Sequence, residues 1–264
     1  MGLFQGAKAQ LDGQKALKAH IAGNKAANDG RPAEAVEKYA QARRYYDRAL
    51  AGGAKAPALR QGYAVLLLRT GEFERAREIM EAIRLHKGLS QDDWFDLRLN
   101  YAIYLWKVGR LDDAIDTIDR AAKIKKNGAI YTTLGMFLVD KARIDGDFEA
   151  AEVFNREALD YDDEDGGVLD NMAALCEARM ERAQADGDAQ AAAEYRRQAK
   201  ALYEKAHRVK PHQITTVYAL AKLCHEDGED GRARELLSGV DRLYFSALCP
   251  VSRAMLEDLK QKVG

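Results

Sequence analysis

The stretch "YLWKVGRLDDAIDTIDRA" (residues 104–121) decides the fold class. A run rich in aromatic and aliphatic residues stops at Gly109, acidic residues follow, and the small residue Ala114 comes five positions after the glycine. Glycine readily adopts the left-handed conformation that ends a helix, and acidic residues stabilise the positive start of the next helix. The stretch therefore predicts two helices joined by a short turn.

The same neighbourhood recurs along the chain, which predicts an internal repeat. We expect an alanine where two antiparallel helices cross closely, because a larger side chain would hold them apart. Apolar or small residues spaced by three or four positions after the alanine place one helix face inward. The other glycine–alanine pairs, each five residues apart, are Gly30 with Ala35, Gly71 with Ala76, Gly146 with Ala151, and Gly228 with Ala233.

These residues resemble the tetratricopeptide repeat, a 34-residue helix–turn–helix unit. Its marks include Leu-Gly in the first helix (helix A), as in Leu134-Gly135, and alanines in the second (helix B), as in Ala151 and Ala158. The resemblance spans about residues 16–240. It implies an all-α fold, a right-handed α-solenoid of antiparallel helix pairs.

The pattern predicts a single repeat domain over residues 1–264. An extension or cap (1–15) is followed by six hairpins (16–242) and a capping helix (250–264). The helix A segments are expected at 16–28, 57–69, 95–107, 129–145, 168–185 and 213–226. The helix B segments are expected at 32–50, 73–86, 112–124, 149–160, 189–208 and 231–242.

The fifth repeat departs from the family spacing. Gly187 follows Met172 by 15 residues, where eight is normal, and precedes Ala199 by 12, where five is normal. Each helix therefore gains seven residues. Equal additions on both sides of a turn predict an elongated hairpin.

Composition narrows the class of protein. Of 264 residues, 47% are hydrophobic and 31% are charged, which suits a helical surface in water. No apolar run approaches the roughly 20 residues that span a bilayer, and the amino terminus lacks the features of a secretory signal. We therefore expect a cytoplasmic protein with no membrane partner, and its alanine-rich helices suggest a bacterial source.

The three cysteines are too far apart to predict a metal site or a disulfide framework. Cys176 and Cys224 fall on predicted core positions. We predict no metal and no cofactor. Because no catalytic motif is present, we also predict that the chain is not an enzyme.

Charge is unevenly distributed although the net charge is −1. Residues 1–127 carry 23 Lys and Arg against 16 Asp and Glu, and residues 128–264 carry 18 against 26. This asymmetry would favour charged partners or head-to-tail association, but uneven drift along a solvated surface is the simpler interpretation. Neither half has the basic stripe of a nucleic-acid binder, so no nucleic-acid partner is predicted.

The resemblance also implies where a partner would bind, since helix A residues line the concave groove in this family. Trp106 is the expected anchor, with packing against a neighbouring helix as the alternative. His20 and Asn24 lie one turn apart and would face a ligand or, more simply, solvent. The predicted groove residues are Gln61, Val65, Leu68, Arg69, Leu99, Ile103, Trp106, Lys107, Met136, Tyr218 and Lys222.

Two functions remain open at this point. The first is a non-catalytic scaffold that binds a peptide or helix of a partner protein in the groove. The second is self-association through the elongated fifth hairpin, which would make the protein a homo-oligomer.

Overall fold

The computed structural model describes the backbone of residues 2–264 and the side chains from residue 6 onward. Within this range the chain is all α, with no strand, as predicted. None of the described helices has the length and apolar character needed to cross a membrane. The helices are α1 (Gly2–Asn28), α2 (Pro32–Ala51), α3 (Pro57–Thr70), α4 (Phe73–Arg84), α5 (Gln91–Lys107), α6 (Leu111–Ala122), α7 (Gly128–Asp145), α8 (Glu149–Tyr161), α9 (Gly166–Ala185), α10 (Ala189–Val209), α11 (Ile214–Glu226), α12 (Asp230–Ser238) and α13 (Arg253–Val263), with a 3-10 turn at Val240–Arg242.

The predicted helix bounds hold to within about four residues, except at the start of the first helix. Residues 2–15 extend the first helix, which runs unbroken to Asn28; Met1 lies outside the described residues. The last helix B ends at Ser238 instead of residue 242, because Gly239 and a 3-10 turn follow it. Residues 243–252 therefore form a longer connection before α13 than expected.

The glycine–alanine spacing has the predicted structural basis. All five marker glycines have φ between +69° and +88°, the left-handed region. All five marker alanines are essentially inaccessible to solvent, at 0–1% exposed. The repeat in the sequence is therefore a repeat of helix ends and of close helix crossings.

The chain divides into two compact units. One comprises Met1–Val108 and Arg242–Leu248, and the other comprises Gly109–Asp241 and Cys249–Gly264. The boundary at Gly109 falls inside the predicted third hairpin, between α5 and α6. The single domain over residues 1–264 and the count of six repeats remain predictions.

In the unit that contains the amino terminus, α1 packs against α2, α3 packs against α4, and α5 packs against both α3 and α4. Aromatic side chains fill the core between these helices. Tyr46 and Tyr63 stack with ring centroids 4.8 Å apart and planes 8° from parallel. Tyr63 donates a hydrogen bond to Asp47 at 2.5 Å.

In the other unit, α7 packs against α8, α9 against α10, and α11 against α12. Val139, Ala142, Ala151 and Leu175 form one buried cluster at the junction of α7, α8 and α9. Helices α9 and α10 have 20 and 21 residues, so the elongated fifth hairpin is confirmed. Cys176 and Cys224 are buried in this unit, as predicted.

A capping box fixes the start of α5. The Ser90 hydroxyl accepts a hydrogen bond from the Asp93 backbone N–H at 3.1 Å, and the Asp93 carboxylate accepts one from the Ser90 N–H at 2.9 Å. The hydrogen bonds from the Ser90 side chain and backbone lower the pKa of Asp93. Together these contacts satisfy two donors that a helix start leaves without partners.

Ser90→Ala is expected to lower the free energy of unfolding by about 1 kcal/mol, because the first turn of α5 loses its cap. Urea unfolding followed by circular dichroism measures the effect. Ser90→Thr, which keeps the hydroxyl, is the matched control and should lose much less. Equal losses in the two variants would contradict a role for the cap.

Candidate protein-binding site

A row of apolar side chains lies along one side of α5. Leu99, Ile103 and Trp106 are spaced by four and three residues, which places them on one face of the helix. All three are half-buried, in contrast to fully buried neighbours such as Ala102. The Lys107 ammonium lies 5.0 Å from the centre of the Trp106 ring. This α5 strip offers an apolar surface with a cation at one end.

On α3 the predicted groove residues separate into two groups. Val65 and Arg69 are half-buried and remain candidates for contact with a partner. Leu68 is 1% exposed, and its side chain belongs to the core. Gln61 is 5% exposed and joins α3 to α5, donating to the Asp93 carbonyl at 3.2 Å and accepting from Asn100 at 3.2 Å. Neither side chain is accessible to a partner.

In the other unit, Lys222 takes part in a ladder of ion pairs across three A helices. Its ammonium lies 3.1 Å from Glu177 and 3.9 Å from Glu181 on α9. Arg143 on α7 approaches the same two carboxylates at 3.7 and 2.7 Å. Burial alone would lower the pKa of Lys222, but the charge of Glu177 raises it overall. Lys222 therefore stabilises the fold. An acidic partner would have to compete with Glu177 and Glu181 for its ammonium group.

Glu177 is the buried centre of this ladder, and it also accepts a hydrogen bond from Tyr203 at 3.0 Å. About two helical turns earlier on α9, Asp170 accepts hydrogen bonds from Thr215 at 2.9 Å and Thr216 at 2.6 Å. Burial raises the pKa of Asp170 even though these hydroxyls favour its charged form. These hydrogen bonds from Thr215 and Thr216 to Asp170 connect α11 to α9, so the role of Asp170 is structural.

Met136 on α7 and Tyr218 on α11 are half-buried, so both can contribute to a surface. Nine of the eleven predicted groove residues are half-buried, and two, Gln61 and Leu68, are buried.

His20 is not on a solvated surface, which corrects the simpler of the two sequence interpretations. It is 6% exposed and lies between two tyrosines, with its Nδ1 atom 3.2 Å from the Tyr46 hydroxyl. Its Nε2 atom is buried and has no hydrogen-bond partner. Burial lowers the pKa of His20 to about 4, and the positive charge of Arg69 adds to this effect. The imidazole is therefore neutral at pH 7.

A cluster beside His20 was not found by sequence reasoning. The Tyr39 hydroxyl donates to Asn24 at 2.9 Å and accepts from Arg69 at 2.9 Å. Tyr244 packs edge-on against the Tyr39 ring, with centroids 5.2 Å apart. Two further contacts come from the same connecting segment, since the Ala247 N–H and the Ser246 hydroxyl both donate to the Arg69 carbonyl, at 2.9 and 3.3 Å.

The only hint of this contact in the sequence is the aromatic pair in "RLYFSAL" (242–248), which is unusual for a connection between helices. No local pattern links residue 247 to residue 69, 178 positions earlier.

Successive helical hairpins that pack against one another define a helical-repeat protein. A family model for the tetratricopeptide repeat matches residues 33–97. Residues 33–97 therefore carry the sequence pattern of the tetratricopeptide repeat. No curated protein matches the sequence.

Solved structures show the same fold at low sequence identity. A tetratricopeptide repeat protein from Parabacteroides merdae is 14% identical, with a TM-score of 0.53, covering 95% of this chain and 86% of its own. A chain of the APC/C hetero-tetramer Cut9–Hcn1 is 16% identical, with a TM-score of 0.60, covering 97% of this chain and 48% of its own. The human IFIT1 dimer with m7Gppp-AAAA is 16% identical, with a TM-score of 0.62, covering 88% and 51%. This chain thus spans about half the length of the IFIT1 chain.

Proposed function

We propose that the protein is a non-catalytic scaffold that binds a peptide or helix of a partner protein through the exposed sides of its A helices. The α5 strip of Leu99, Ile103 and Trp106 carries the proposal. A partner that covers these apolar side chains removes their remaining exposed area from water, which favours binding. Tryptophan is also enriched among residues that dominate binding energy.

Self-association through the elongated fifth hairpin has less support. Residues 181–190, at the end of the α9–α10 hairpin, are exposed with the single exception of Ala183. Most of these exposed residues are charged, polar or alanine. A stable interface between copies needs a larger apolar centre.

The neighbour IFIT1 was solved with m7Gppp-AAAA, whereas two cations of the A helices of this chain are engaged in ion pairs. Arg143 and Lys222 are paired with Glu177 and Glu181, so their charges are already matched. We therefore favour a protein partner over a nucleic acid.

The test is selection of a displayed peptide library on the full chain. We expect peptides selected on the wild type to bind Trp106→Asp at least tenfold more weakly, because a buried charge at the centre of an interface is costly. Leu85→Asp is the matched control, since Leu85 follows α4, is 78% exposed and is not part of the strip. Fluorescence anisotropy gives the affinities, and thermal unfolding checks that both variants fold.

Peptides that bind both variants as well as the wild type would contradict the proposed role of the α5 strip.

A further inference from the structure

Residues 243–248 lie against the amino-terminal helices without forming a helix of their own. Leu243 is buried, whereas Tyr244 through Leu248 are all half-buried. This docked segment brings an aromatic side chain, then two small residues, onto a surface that contains Arg69, one of the predicted groove residues.

The docked segment donates hydrogen bonds to a backbone carbonyl of α3, as a bound peptide would. Arg69 lies in the last turn of α3, where backbone carbonyls have no partner within the helix. Its carbonyl accepts from the Ala247 N–H at 2.9 Å and from the Ser246 hydroxyl at 3.3 Å. The Ala247 donor is a backbone N–H, which any residue except proline can present, so the carbonyl can hold a peptide backbone.

Side chains add selectivity at this surface. Tyr39 is fixed by hydrogen bonds to Asn24 and Arg69, and its ring receives Tyr244 edge-on. Such aromatic pairs contribute about 0.5–1.5 kcal/mol beyond the area they bury. Three residues later, Ala247 approaches Gly71 so closely that a Cβ on the glycine would lie 3.2 Å from the alanine methyl. This close approach favours a small residue at position 247.

The docked segment does not fill the space that it covers. A cavity of about 450 Å³ remains beside it, lined by α2, α3 and the segment itself. Val36 at the edge of this cavity is 58% exposed. With few hydrogen bonds and incomplete packing, a segment of this kind opens at a small fraction of the free energy of global unfolding.

We propose that the surface formed by Asn24, Tyr39 and Arg69 binds short extended segments in which an aromatic residue is followed, two and three positions later, by small residues. Residues 244–247 occupy this surface as an internal ligand, and a partner segment of the same chemistry must displace them. The inference deepens the proposed function, on which it rests, by naming the ligand class of one part of the binding surface.

The test uses a fluorescein-labelled peptide with the sequence of residues 242–248, Arg-Leu-Tyr-Phe-Ser-Ala-Leu, added to the full chain. The release variant Tyr244→Ser/Ala247→Pro removes the aromatic contact and the N–H donor of the internal segment. We expect it to bind the peptide at least tenfold more tightly than the wild type does, by fluorescence anisotropy. Tyr161→Ser, the same change at an exposed tyrosine of α8, should bind like the wild type. A peptide with serine in place of tyrosine should bind the release variant at least tenfold more weakly.

Equal binding by the release variant and the wild type would overturn the proposal, as would equal binding of the two peptides. Should the release variant fail to fold, hydrogen exchange on the wild type decides instead. Saturating peptide is expected to accelerate exchange of the amides of residues 243–248, and unchanged exchange would overturn displacement. If the 242–248 peptide fails while library peptides still bind in a Trp106-dependent way, this inference falls and the proposed function stands.

Discussion

Gly135→Ala is expected to lower the free energy of unfolding by about 2 kcal/mol, although alanine is the better helix former. A Cβ at position 135 of α7 would lie 2.5 Å from the Asn155 Oδ1 atom and 2.9 Å from the Asn171 Nδ2 atom. Asn155 is fully buried and donates to the carbonyls of Gly135 and Ala151, at 3.3 and 2.9 Å. Asn171 donates to the Thr132 carbonyl at 2.8 Å.

Whether Gly135→Ala stabilises or destabilises the protein depends on two opposing effects, helix propensity and crowding. Replacing glycine inside a helix gains about 0.5–1 kcal/mol. Displacing a fully buried amide from its hydrogen bonds costs about 1–3 kcal/mol, and overpacking costs about as much again. The crowding therefore exceeds the gain in helix propensity.

Gly128→Ala is the matched control, because Gly128 begins the same helix and a Cβ there meets nothing within 4 Å. Its stability should change by less than about 0.5 kcal/mol. Urea unfolding of the two variants and the wild type measures both effects. A Gly135→Ala variant as stable as the wild type would show that α8 and α9 can move apart without cost.

The stability of the wild type is expected to fall by about 2 kcal/mol between pH 7.5 and pH 5.0 through His20 alone. The ordinary pKa of this imidazole is 6.5, and burial lowers it to about 4 in the folded chain. Between these two values the unfolded chain binds more protons than the folded chain. Acid therefore favours unfolding, and the stability that the neutral imidazole provides is lost as the pH falls from about 6.5 towards 4.

His20→Gln tests this coupling because it places a side chain that does not titrate at the same position. We expect the variant to lose about 2 kcal/mol less than the wild type between the two pH values, by urea unfolding. His86→Gln, at an exposed position after α4, controls for the loss of a histidine as such. The same pH dependence in wild type and His20→Gln would contradict the burial of a neutral imidazole.

Much of the local structure could be predicted from the sequence because its causes are local. The glycines that end helices, the acidic residues that open them and the inward alanines act over a few residues. They placed nearly every helix to within about four residues, and they predicted the elongation of the α9–α10 hairpin. The burial of Cys176 and Cys224 followed from the same periodicity.

The properties of the candidate site were harder to predict from the sequence, because the exposure of a side chain depends on residues far away in the chain. Gln61 has the right helical position for a groove residue, yet Asn100 and the Asp93 backbone occupy its amide. The sequence around Lys222 does not reveal an ion-pair partner, yet the carboxylate of Glu177 lies 3.1 Å from its ammonium group. Spacing along one helix cannot reveal partners on another.

The all-α helical-repeat fold can be predicted from local sequence, since each helix end and each close crossing is encoded within a few neighbouring residues. Which polar groups are buried, and which segment covers the proposed binding surface, depends on tertiary contacts. His20 became a neutral core residue because two distant tyrosines surround it. Residues 244–247 became an internal ligand because an unpaired carbonyl at the end of α3 accepts their hydrogen bonds. Both outcomes depend on contacts between residues that are far apart in the chain, where no periodicity acts.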